Sequence, residues 1–107
     1  MVTFLMMAKH NPADCAFHNE KSAKTIAEWF SKLPELQAKH GVKMLAGCTV
    51  NSEHLAVSIF EAPSFEAMMA WGMEPENANM SSWQTVETKV ATTIEETAQM
   101  MQMMQQK

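Results

Sequence analysis

Glycine is scarce in this chain: three occur in 107 residues. Phosphate-cradling loops and nucleophile elbows need glycines at fixed spacing. Gly41, Gly47 and Gly72 supply no GxSxG, Walker or dinucleotide-binding pattern. Cysteine is scarce too. Cys15 and Cys48 form no CxxC pair, and there is no HExxH helix motif. Apolar runs are short, and nothing approaches the ~20 residues of a membrane helix. The opening "MVTFLMMAKH" lacks both the length and the preceding basic region of a signal peptide. These absences predict a cytoplasmic protein, whose cysteines are thiols or metal ligands more often than a disulfide. The eight basic residues are outnumbered by twelve acids, and Lys21, Lys24, Lys32, Lys39 and Lys43 are interspersed with them. No basic stripe for nucleic acid results.

What is present fits one folded domain, with 47% hydrophobic and 19% charged residues. A domain this small buries roughly 60–70% of its unfolded-chain surface, so association with another copy would help it. Methionine is the compositional outlier, at 12 residues. Its flexible thioether fills gaps in cores and at permissive binding surfaces, and it is also a soft ligand for Cu(I).

Hydrophobic periodicity orders the elements. Residues 2–9 read as a buried strand. Asn11-Pro12 with Asp14 reads as a brief helix start, and Asn19-Glu20 as a second one. From there to His40, residues Ala23, Ile26, Ala27, Phe30, Leu33 and Leu36 make one buried helical face. Pro34 is predicted to kink or split that helix, and Gly41 to end it. Strands over 42–50 and 54–62 form a hairpin across the turn 51–53. Ser64 opens a short helix carrying Phe65, Met68, Met69 and Trp71, and residues 72–82 read as a loop or short turn. Residues 83–93 alternate and are rich in β-branched side chains, as a fourth strand would be. "IEETAQMMQMMQQ" closes the chain as a helix. Its Met100, Met101, Met103 and Met104 fall within about 160° of arc, opposite Gln99, Gln102, Gln105 and Gln106. That stripe reads as a docking face in preference to a copper box.

The order β-α-β-β-α-β plus a terminal helix predicts an α+β, ferredoxin-like domain spanning residues 1–107. Right-handed crossovers give it an antiparallel 4-1-3-2 sheet. Both crossover helices then cover one face, and the other face needs a cover, most simply a second copy. The stretches "LPELQAKHGVKMLAG", "EHLAVSIFEAPSFEAMMAW" and "VETKVATTIEE" resemble the dimeric α/β-barrel superfamily over nearly the whole chain. They resemble its small members of unassigned activity more than its monooxygenases. The resemblance implies a homodimer with two sheets face to face, and a ligand site in or near the helix–sheet cavity.

This topology also predicts a site. His10 at the end of the first strand, Cys48 at the end of the second and His54 at the start of the third share one end of the sheet. The segment "HNPADCAFH" places Cys15 and His18 there as well, and the reading adds Trp71, Met73 and Trp83, leaving His40 alone at the far end. Imidazole and thiolate are the usual ligands of zinc, copper and nickel, so His10, Cys15, His18 and His54 are candidate metal ligands. Trp71 and Trp83 are candidate walls for a cofactor or a small-molecule ligand. Two other readings stay open. One is a cofactor-independent oxygenase or isomerase, with His54 or His10 as base, acting on a small aromatic or apolar substrate in the helix–sheet cavity. The other is a binding or assembly module with no chemistry of its own.

Overall fold

The computed structural model describes residues 1–106. Strand β1 spans Val2–His10 and leads through a 3-10 turn at Pro12–Asp14 into helix α1, Glu20–His40. Strands β2, Lys43–Val50, and β3, Leu55–Ala62, are joined by a second 3-10 turn at Asn51–Glu53. Helices α2, Phe65–Gly72, and α3, Pro75–Ser81, lead to β4, Gln84–Ala91, and α4, Ile94–Gln105, follows. The strands form one antiparallel sheet in the order β2-β3-β1-β4, the 4-1-3-2 order expected from the sequence. No helix among the described residues is long and apolar enough to cross a membrane.

Strand alternation divides the side chains between two faces. Phe4 and Ala8 of β1 pair with Phe60 and Ala56 of β3 and point toward the helices. Phe4, Phe60, Ala62, Trp29, Leu36, Val42, Met68 and Trp71 form the buried core there. Leu5 and Met7 pair with Ile59 and Val57 on the opposite face, which no helix covers. A bulge between Met44 and Ala46 reverses the alternation in β2. Met44 therefore packs on the core, while Cys48, opposite Val57, lies on the bare face. Cys48 is exposed and separated from Cys15 by the sheet, contrary to the shared neighbourhood expected for them.

Local chemistry accounts for the helix limits. Asn19 caps α1 by accepting from the Ser22 amide, and Gly41 ends it in the left-handed conformation at φ 69°. A Cβ on Gly41 would also meet the Pro63 ring at 3.0 Å. Pro34 neither splits nor ends α1. Its missing N–H orphans only the carbonyl of Phe30, an exposed residue that water can serve. The buried face of α1 is also rotated from the expected one. Ser22, Trp29 and Leu36 are buried, whereas Ala23, Ala27 and Phe30 face outward. The rotation satisfies the Trp29 indole, which donates to Asn77 Oδ1 at 2.6 Å. Asn77 lies on α3, a helix that takes the place of the expected loop, with Pro75 at its first turn.

The C-terminal end of α1 is clamped to the α2–α3 junction. Glu74 Oε1 accepts from Lys39 Nζ and lies against His40 Nε2, each at 2.7 Å, so His40 is not alone. The Lys39 and His40 contacts hold the Glu74 carboxyl below its ordinary value of 4.5. The Glu74 contact holds the Lys39 ammonium above its ordinary value. The lowered carboxyl contributes stability above pH 4.5 that is lost as pH falls through its own lower value. The raised lysine contributes below its ordinary range and loses that contribution as pH rises through its higher value. Glu74→Gln is therefore expected to cost stability at neutral pH and to cost progressively less below pH 4.5. Urea unfolding midpoints across pH measure this, and a pH-independent difference would contradict it.

Candidate metal centre

Three potential ligand atoms converge where β1 ends and β3 begins. His10 Nε2 and His54 Nδ1 are 3.3 Å apart. With the Cys15 sulfur they form a group whose ligand atoms all lie within 4.8 Å of one another. It is the one such group among the described residues.

Each ligand is held by its local backbone. His10 is the last residue of β1, and its amide donates to the His54 carbonyl at 3.1 Å, extending the ladder by one rung. His54 has φ 53° and ψ 42°, the left-handed region, and is the one non-glycine residue with positive φ among those described. That conformation is uncommon without a glycine, though histidine is among the residues that tolerate it better. It arises because the 3-10 turn Asn51–Glu53 reverses the chain just before β3, with the His54 amide bonded to the Asn51 carbonyl. Cys15 is buried within a folded segment. Its amide donates to Pro12, Asp14 donates to Asn11, His18 donates to the Cys15 carbonyl, and the Asn19 side chain donates to Ala13. The rigid turn of Pro12–Asp14 thus faces Cys15 inward.

Trp83 supports the His10 ring from the other side, edge to face, at a centroid distance of 5.6 Å. The indole of Trp83 is fixed in turn. It donates to Thr25 Oγ1 at 3.0 Å, and that hydroxyl donates to the Ser22 carbonyl. The His10 and His54 rings meet at 5.1 Å in an edge-on arrangement. Burial pushes the His10 pKa down, and the neighbouring His54 charge and, more weakly, His18 push it the same way against an opposing pull from Asp14. The shift favours the neutral imidazole, the form that has a lone pair to give.

Of the four expected ligands, the structure brings three together. His18 lies outside the group, on the exposed side of the segment. Of the two tryptophans, Trp83 reaches the site and Trp71 does not. Trp71 is in the core against Phe60, ring centroids 5.0 Å apart. The chain turns at Gly72–Glu74 toward the far end of α1, which carries Trp71 and Met73 away from His10.

Two concavities lie near these residues. The space between sheet and helices, lined by Met6, Trp29, Trp71 and Met80, measures about 60 Å³. That is room for a few waters, well below the ~300 Å³ at which small-molecule sites begin. An open groove of about 600 Å³ runs along His10, Asp14, Trp83, Gln84 and Thr85, with Met7 and Leu55 also lining it. The groove falls in the small-molecule range and has His10 on its wall. Gln84 was not read from the sequence as part of this surface, since a single polar residue at a strand start carries no distinguishing pattern.

No protein-family model matches the chain, and no curated protein matches it either.

Proposed function

We propose that the protein is a small metal-binding protein in which His10 Nε2, Cys15 Sγ and His54 Nδ1 hold one transition-metal ion. The observation that carries this reading is the 3.3 Å between the two imidazole nitrogens, with a buried thiol beside them. Two nitrogens at ~2.05 Å from a tetrahedral ion stand about 3.35 Å apart. In the metal-free form an N–H···N hydrogen bond joins the two rings at 3.3 Å. The spacing suits a shared tetrahedral ion as well as it suits a shared proton. Ideal sulfur–nitrogen separation at such an ion is about 3.6 Å, and the Cys15 sulfur lies within 4.8 Å of both nitrogens. Among zinc, copper and nickel, the tetrahedral spacing and the N₂S donor set favour zinc or Cu(I). Three protein ligands leave a fourth position open, the pattern of sites that take an exogenous ligand.

The proposal includes a homodimer of the dimeric α/β-barrel kind. Its support is the uncovered sheet face. Leu5, Met7, Ala46, Leu55, Val57 and Ile59 make an apolar centre there, and Lys9, Lys43, Glu61, Glu87 and Lys89 stand toward its edges. An apolar centre with a charged rim is how protein interfaces are built, and soluble monomers rarely leave such a face wet.

Calorimetric titration with Zn²⁺ tests the metal. The expected result is one ion per chain, abolished in His10→Ala/His54→Ala while the circular dichroism of the fold persists. Equal binding by the double variant would reject the site.

A further inference from the structure

Helix α4 is the one long element that the fold leaves without a partner. None of its residues is buried, and Met100, Met101, Met103 and Met104 are 55–72% exposed. The helix is nevertheless well specified. Thr93 and Glu96 form a reciprocal capping box, with bonds of 3.0 and 3.1 Å, so its start is fixed by design of the sequence and not by packing. It projects away from its own domain. The molecule measures 57 Å along its longest axis, and α1, the longest element, is about 32 Å from end to end. Helix α4, 12 residues long, is about 18 Å from end to end.

We infer that α4 is an arm that docks its methionine face on a second copy of this chain, enlarging the interface begun by the paired sheets. The inference rests on the homodimer proposed above. Area is the first argument. Four strands of about eight residues, ~4.8 Å apart and rising ~3.4 Å per residue, present roughly 500 Å² on the bare face. A stable interface buries about 800 Å² per partner. The sheets alone fall short by about a third. An arm ~18 Å long and ~10 Å wide buries nearly 200 Å² of itself and as much of its partner, and the reciprocal arm does the same. Each copy then reaches the standard size.

Charge is the second argument. From Thr97 to Gln106 the chain carries no charged residue. Interface centres are depleted of charge in this way. A helix that lies on a membrane surface instead carries lysine or arginine on its polar face. Here that face is Gln99, Gln102, Gln105 and Gln106, behind Glu95 and Glu96 in the first turn. A second copy, with its own exposed apolar residues, fits this arm better than a lipid headgroup does.

The test is sedimentation equilibrium of the full chain beside a variant with Met100, Met101, Met103 and Met104 each changed to Gln, which keeps the helix propensity and removes the apolar face. The wild-type chain is expected to be a dimer at about 100 µM, and the variant to dissociate with a constant raised at least ~100-fold. Circular dichroism is expected to match, because α4 is not part of the core. A wild-type monomer at that concentration would overturn both the dimer and the arm. A wild-type dimer whose variant associates as tightly would leave the dimer standing and overturn the arm. Retained dimer affinity with loss of titrated Cu(I) would overturn it in favour of a copper role for the methionines. A photo-crosslinker placed at Met103 of the otherwise unaltered chain gives an independent reading: bonds between chains support the arm, and bonds only within one chain reject it.

Discussion

Asn77→Ala is expected to lower the melting temperature by roughly 10–20 °C, more than any other single polar substitution in the chain. Asn77 is one of two buried polar residues among those described, and it makes two buried bonds at once. Its Oδ1 accepts from Trp29 Nε1, and its Nδ2 donates to the Trp71 carbonyl, both at 2.6 Å. These bonds tie α1, α2 and α3 together over the core. Truncation leaves the buried Trp29 indole N–H without a partner, removes one of the two bonds to the Trp71 carbonyl, which keeps the Glu74 amide at 3.2 Å, and opens a gap beside the 60 Å³ cavity that Asn77 already lines. The orphaned indole costs about 1–3 kcal/mol and the lost second bond to the Trp71 carbonyl about 0.5–1.5 kcal/mol, so a total of roughly 2–4 kcal/mol is expected. In a domain of this size each kcal/mol moves the melting point by about 4–8 °C. Asn79, exposed on the same helix, is the control, and its alanine variant is expected to stay within about ±0.5 kcal/mol. Calorimetric melting of the two variants checks this. Equal and small losses would mean that the Trp29–Asn77–Trp71 network contributes little.

The second large effect concerns the metal. At a Zn²⁺ concentration one hundred times its dissociation constant, binding to the folded state adds about 2.7 kcal/mol of stability. That corresponds to a rise of about 10 °C or more in melting temperature. Cys15→Ala is expected to weaken binding at least ~100-fold, since loss of an outer partner of a metal ligand alone costs 10–100-fold. At the same Zn²⁺ concentration most of the shift should then vanish. The shift, and not the absolute melting point, is the readout, because Cys15 is itself buried and its truncation lowers stability in either state. His18→Ala is expected to keep the full shift, as His18 lies outside the group. A Cys15→Ala protein that responds to Zn²⁺ like the wild type would remove the thiolate from the account.

The parts of this arrangement that could be read from the sequence are those set by long-range pattern. Strand and helix order determine which chain ends meet, so the convergence of His10, Cys15 and His54 followed from topology and needed no motif. The parts that escaped depend on single local choices. The bulge after Met44 adds one residue to β2 and sends Cys48 to the other face, and nothing in "KMLAGC" announces it. The rotation of α1 that buries Trp29 and exposes Phe30 depends on a partner 48 residues away. Periodicity alone ranks the two aromatics equally. Helix α3 was obscured because "PENANMS" is nearly all polar, and its one buried residue, Asn77, resembles its exposed neighbour Asn79. Pro34 was read by its usual effect, which an exposed carbonyl does not require. His18 was grouped with Cys15 by helical spacing. Cys15 itself has extended dihedrals, φ −63° and ψ 129°, so a three-residue step there does not return to the same face.

X-ray absorption at the edge of the bound ion tests the central claim most directly, in protein loaded with one Zn²⁺ per chain. The account predicts one sulfur scatterer at about 2.3 Å and two imidazole nitrogens at about 2.0–2.1 Å, with one further light atom at the open position. A shell of oxygen and nitrogen alone, with no sulfur and no imidazole signature, would place the ion elsewhere on the protein and contradict it.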